Sequence, residues 1–220
     1  MEFSDYGLER AWEHVIGVVV QPGVEFGDNV IYPYKPEEAS DLMSVLHDYP
    51  HLVFEGHSTD YQSAESLRLM VSDGIAILKV GPELTFGLRE AIFALSGLEA
   101  KLVPEAMRTP IEAVLEHEMK QNPVYWQKYY VGSEEEKMLA RRYSMSDRIR
   151  YYIGKSEVDA MISQLTQQVN DTRIPIGLVH QFFPEASFQH EDCVSLDLST
   201  RLLEGRIMQT VNRYYDACGL

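Results

Sequence analysis

Residues Leu52 to Glu90 read LVFEGHSTDYQSAESLRLMVSDGIAILKVGPELTFGLRE. Two short apolar runs stand here, each followed by a polar cluster and then a helix-like spacing of apolar residues. That is the pattern of consecutive β/α units. The clusters, Glu55-Gly-His57-Ser58-Thr59-Asp60 and Lys79-Val-Gly81-Pro82, are the densest chemistry in the chain.

Working outward, the same alternation covers the first hundred residues. Val15 to Val20 is a β-branched run, too short for a helix, and reads as a strand buried on both faces. A Gly/Pro-rich turn follows, Gln21-Pro-Gly-Val-Glu25-Phe-Gly-Asp28. Strands are expected over 15–20, 52–55 and 74–80. Helices are expected over 4–14, from Pro36, over 63–72 and from about Thr85. Gly74 suits a left-handed stop after the third helix. Such alternation implies parallel strands joined by helical crossovers. Beyond residue 100 the pattern is helical, with segments at 111–119, 134–142, 157–169 and 199–215. The expected division is therefore β/α units over 1–100 and a helical extension over 101–220.

The totals narrow the function. A chain of 220 residues with 45% hydrophobic content can bury a core. A formal net charge of −15 argues against nucleic-acid binding, which needs a basic face. Apolar runs fall short of the ~20 residues of a membrane helix, so no membrane partner is expected. Cys193 and Cys218 lack metal or redox spacing and read as free thiols. The N-terminus is polar and acidic, unlike a signal peptide. Together these point to the cytoplasm.

In parallel α/β folds ligands bind at the carboxyl ends of strands. Those ends here carry Gln21 and Glu25, then Glu55, His57 and Asp60, then Lys79. His57 suits a metal ligand, an acid/base, or a buried imidazole bonded to backbone. Asp60 suits a metal ligand, a base, or a cap for the helix at Ser63. Ser58 and Thr59 suit phosphate binding or the same capping. Lys79 interrupts an apolar strand on the face of Ile77, where an unpaired ammonium is costly. It fits a Schiff base, a phosphate ligand, or an ion pair with Glu55. Arg141, Arg142, Arg148 and Arg150 either clamp a sugar phosphate or neutralise acidic helices. The Tyr pairs at 129–130, 151–152 and 214–215 suit core packing or a subunit interface.

Four segments carry a family resemblance: VVVQPGVEFGD (Val18 to Asp28), FEGHSTDYQ (Phe54 to Gln62), ILKVGPELTFGLREAIFAL (Ile77 to Leu95) and YSMSDRIRYY (Tyr143 to Tyr152). They resemble the GatZ/KbaZ family, non-catalytic subunits of class II D-tagatose-1,6-bisphosphate aldolase. Older naming makes its members tagatose 6-phosphate kinases, yet this chain has no GxxxxGK[ST] loop and no HRD/DFG pair. The resemblance implies an α/β fold, a partial TIM-type β/α barrel holding the last three β/α units with a mainly helical C-terminal extension. Family members are about twice this length, and three strands cannot close a barrel. The expectation is a fragment or truncated reading frame, or a missing half supplied by self-association or another chain.

Two functions are implied. One is an accessory subunit that supports a class II aldolase catalytic subunit in galactitol, amino-sugar or tagatose catabolism. The other is a 4-epimerase interconverting tagatose 6-phosphate and fructose 6-phosphate with a divalent metal (Zn, Mn or Mg). For the second, His57 is the candidate metal ligand, Asp60 or Glu25 the base, and Lys79 the orienting group. Gln21, Ser58, Thr59, Arg148 and Arg150 are the candidates for binding the sugar phosphate.

Overall fold

Short, mostly apolar runs next to a glycine form three of the five strands among the described residues. In chain order the elements begin with helices α1 (Glu2–Asp5) and α2 (Glu9–Trp12). The helix expected over 4–14 is thus broken, because Gly7 takes a left-handed φ of 66°. Strand β1 (Gly17–Val20) follows, then the short strands β2 (Glu25–Phe26) and β3 (Ile31–Tyr32). These two form an antiparallel hairpin not foreseen from the sequence, since two-residue strands leave no periodicity. Next come α3 (Pro36–Ser44), β4 (Val53–Gly56), α4 (Ala64–Ser72), β5 (Ile75–Leu78) and α5 (Pro82–Leu102). The chain closes with α6 (Ile111–Gln121), α7 (Glu134–Tyr143), α8 (Ser156–Asn170), α9 (Ile176–Phe182) and α10 (Leu198–Cys218). The computed structural model describes residues 2–186 and 198–220. Cys193 lies outside the described residues, and Cys218 is an exposed free thiol.

β1, β4 and β5 make a parallel sheet in the order β1-β4-β5. The chain is therefore a mixed α/β protein with a three-stranded parallel sheet and mostly helical content. Two compact units divide at Gly81–Pro82. The first is Met1–Gly81 with Arg213–Leu220, and the second is Pro82–Asn212. The boundary expected at residue 100 falls inside α5, whose start at Pro82 precedes the expected Thr85. Proline suits a first helical turn because its missing N–H is not needed there.

In the first unit the core is Val24, Tyr34, Ala39, Phe54, Met70 and Ile75. Ser63 caps α4 by accepting from the Ser66 amide at 3.0 Å, and Leu67 and Met70 are its buried residues. Gly74 ends the turn after it with φ 106°. A side chain there is strained, so Gly74→Ala is expected to cost about 1 kcal/mol or more, read as a lower urea midpoint. The expectation that the first strand is buried on both faces is overturned. Val19 is 56% exposed, and Ile77 on β5 is 41% exposed. β1 pairs with β4 alone among the described residues, so an edge and one face of the sheet lack cover.

The second unit is a helical bundle whose core runs from Ile92, Leu95 and Leu98 of α5 to Leu115, Leu165, Val179 and Leu202. α7 starts with a capping box, Ser133 and Glu136 each bonding the other's backbone. No helix among the described residues is long and apolar enough to cross a membrane.

Candidate functional site

The carboxyl ends of the three strands gather most of the expected polar residues. The His57 amide donates to the Val20 carbonyl and the Lys79 amide to the Gly56 carbonyl, each at 3.0 Å, so the ladder extends one residue past the strands. On β1's exit the Gln21 amide nitrogen donates to a Glu25 carboxylate oxygen and, at 3.2 Å, to the Ser58 hydroxyl. The other Glu25 oxygen accepts from the Phe26 amide at 3.0 Å. His57 Nε2 lies 2.8 Å from Glu55 Oε1, both side chains about a third exposed. Ser58 and Tyr61 hold positive φ, 57° and 62°. Non-glycine residues pay for that conformation, and the loop is held by what surrounds it.

What surrounds it is a buried framework. Thr59 is fully buried and donates to the Lys79 carbonyl at 2.7 Å. The Tyr214 hydroxyl donates to the Thr59 carbonyl at 2.8 Å and lies 3.0 Å from its side-chain oxygen. Asp60 is buried and accepts from the Gly81 amide at 2.9 Å. Gln62 accepts from the Tyr34 amide and donates to the Tyr32 carbonyl, clamping the hairpin to the loop. Tyr34 in turn donates to Asp73 at 2.8 Å, and burial followed by that carboxylate raises its phenol.

Two of the alternatives open at the sequence level therefore resolve in another way. Ser63, not Asp60, caps α4, because Asp60 points its carboxylate at the β5 loop. The Glu55–Lys79 ion pair does not form. Glu55 engages His57, and Lys79 is exposed with no carboxylate partner among the described residues. Tyr214→Phe removes the shorter of two donors to the buried Thr59 carbonyl, which keeps only the Gln62 amide at 3.3 Å. The expected loss is about 1 kcal/mol, measured by denaturant unfolding.

As a metal centre the strand ends are incomplete. Among the described residues no group of three or more His, Cys, Asp or Glu side chains is placed to hold an ion. His57 and Glu55 offer two donors, and they bond each other.

Arg148 and Arg150 belong to the second unit. Arg148 lies over the Tyr129 ring at 3.6 Å. Arg150 donates to the Asp147 carbonyl at 2.8 Å and to the Tyr151 hydroxyl at 3.1 Å. Their neighbours Arg141 and Arg142 pair with Glu116 and Glu112 of α6, which is the neutralising role. Asp147 is buried 3.8 Å from Arg89. Burial raises its carboxyl, and Arg89 only partly offsets that.

The residues missed from sequence are Gln62, Tyr34 and Tyr214, which hold the loop. Tyr214 stands over a hundred residues from its partner, and no local spacing could signal the contact.

The family model for D-tagatose-1,6-bisphosphate aldolase subunit GatZ/KbaZ-like matches residues 1–219. A solved structure is also similar, the crystal structure of a probable tagatose 6 phosphate kinase from Sinorhizobium meliloti 1021. It is 39% identical with a TM-score of 0.90, and the match covers 98% of this chain and 56% of that one. The chain thus spans little more than half the length of that protein. With nearly every residue inside the family model, the chain belongs to the GatZ/KbaZ-like family of D-tagatose-1,6-bisphosphate aldolase subunits.

Proposed function

We propose that the chain is an accessory, non-catalytic element of a class II tagatose-1,6-bisphosphate aldolase, acting in the cytoplasm on the side of sugar-phosphate catabolism. The observation that carries this reading is the state of the strand ends. Apart from the exposed Lys79 ammonium, their polar groups are spent on one another and on backbone: Gln21 on Glu25 and Ser58, His57 on Glu55, Thr59 on the Lys79 carbonyl and Tyr214, Asp60 on the Gly81 amide. A catalytic centre instead aims unspent donors and bases at a reacting atom.

The finer architecture follows the same reading. The three parallel strands are the last β/α units of a TIM-type barrel, and residues 101–220 are its helical extension. The open faces of Val19 and Ile77 support this, being the apolar surface a fuller barrel covers. The partner is the catalytic aldolase subunit, and the sugar phosphate is that subunit's substrate.

A second reading rests on one feature, the part-exposed His57–Glu55 pair at a strand end. It makes the protein a metal-assisted 4-epimerase of ketohexose 6-phosphates. Incubation with fructose 6-phosphate, with and without Zn²⁺, Mn²⁺ or Mg²⁺, separates the two. The accessory reading expects no tagatose 6-phosphate above the no-protein control. Turnover that disappears in His57→Ala or Lys79→Ala sinks it.

A further inference from the structure

In the second unit a surface of tyrosine and arginine has no role in the strand-end cluster. The rings of Tyr125 and Tyr151 stack with centroids 4.7 Å apart and 16° between planes. Arg148 covers Tyr129, and Arg150 lies 4.7 Å over Tyr151 and donates to its hydroxyl. The arginine's hydrogen bond lowers the Tyr151 phenol. The three tyrosines are 41%, 53% and 42% exposed.

This surface is rigid. Each exposed Tyr129 and Tyr151 is followed by a buried tyrosine that anchors the backbone. Tyr130 donates to the Ser146 carbonyl at 3.0 Å, and Tyr152 donates to the Asn122 carbonyl. Pre-ordered aromatic side chains with arginine lose little entropy on docking, and they dominate interface hot spots.

Its charges are also unbalanced locally. Arg141, Arg142 and Lys155 pair with Glu116, Glu112 and Glu118. Arg148 and Arg150 form no ion pair among the described residues, although the chain has 34 acidic residues against 19 basic. Shortly after Tyr129 in sequence, α7 opens with two exposed carboxylates: Glu134, which meets Lys137 at 3.4 Å and Arg141 at 3.9 Å, and Glu135, which forms no ion pair among the described residues. Cations and carboxylates on one short stretch allow a self-complementary, twofold contact.

We infer that this tyrosine–arginine surface docks a second copy of the chain, with Arg148 and Arg150 of one copy facing Glu134 and Glu135 of the other. Sedimentation equilibrium over a concentration series tests it, using wild type, Arg148→Glu/Arg150→Glu and Glu134→Lys/Glu135→Lys. The wild type is expected to form a reversible dimer. Each reversal weakens it by about tenfold or more, and mixing the two variants restores dimers by pairing reversed charges. Far-UV circular dichroism and the urea midpoint check each fold. Because Glu134 also contacts Lys137 and the buried Arg141, Glu135→Lys alone stands as the decisive arm if either double variant unfolds. A monomeric wild type overturns the inference. So does a dimer unaffected by the Glu134/Glu135 reversal, as pairing through the free β1 edge would give. A mixture of folded variants that stays monomeric overturns it too.

Discussion

Arg141→Ala is expected to destabilise the second unit by about 3–5 kcal/mol, because it strips the partner from a buried ion pair. Arg141 is 1% exposed, meets Glu116 through Nε at 3.0 Å and Nη2 at 2.7 Å, and lies 4.6 Å over the Trp126 ring. The substitution removes packing as well as charge. Lys120, 3.1 Å from the same carboxylate, holds the loss toward the lower end. Urea unfolding gives the number as a lower midpoint at unchanged slope. The effect depends on pH. Burial raises the Glu116 carboxyl, but its bonds to Arg141 and Lys120 outweigh burial and leave it lowered. A lowered folded value stabilises above the unfolded carboxylate pKa of about 4.3 and is lost as pH falls through the folded value. The gap between wild type and Arg141→Ala is therefore widest near neutrality and closes in acid. A gap constant from pH 7 to 3 contradicts the ion-pair account and leaves packing as the cause.

Phe54→Ala is the second large effect, about 3–5 kcal/mol, from the transfer and cavity terms together. Phe54 sits on the central strand, 4% exposed, and packs with Ile75, Met70 and Tyr34. Ile77→Ala on the neighbouring strand is expected to cost less than about 1 kcal/mol, since that side chain is already 41% in solvent. Comparable losses at both positions contradict a sheet with one covered face.

These two residues also mark what the sequence could show. Leu52 to Glu90 announces its strands and α4 through apolar runs and a glycine stop, all local signals, whereas the cap, expected from Asp60 or Ser58 and Thr59, comes from Ser63. Val18, Val19 and Ile77 read as buried because β-branched runs look alike whether covered or not. Burial depends on what lies against the face, and that is not written in the strand. The hairpin of Glu25–Phe26 and Ile31–Tyr32 was hidden by its shortness. At the site, residue types on strand ends were legible as a group: Gln21, Glu25 and Ser58 meet, and so do Glu55 and His57. Their partners were not, because Thr59–Tyr214 and Asp60–Gly81 are tertiary contacts. The reading of Lys79 as an ion-pair partner failed for a geometric reason. Glu55 reaches His57 two residues along its own chain, which needs no second strand.

The central claim is that this chain supports a catalytic subunit instead of doing the chemistry itself. The most direct measurement is the thermal midpoint of a purified class II tagatose-1,6-bisphosphate aldolase catalytic subunit, alone and with an equimolar amount of this protein. The account predicts a higher midpoint that depends on the added concentration, as mass action requires of a partner binding the native state. An unchanged midpoint at saturating protein contradicts it.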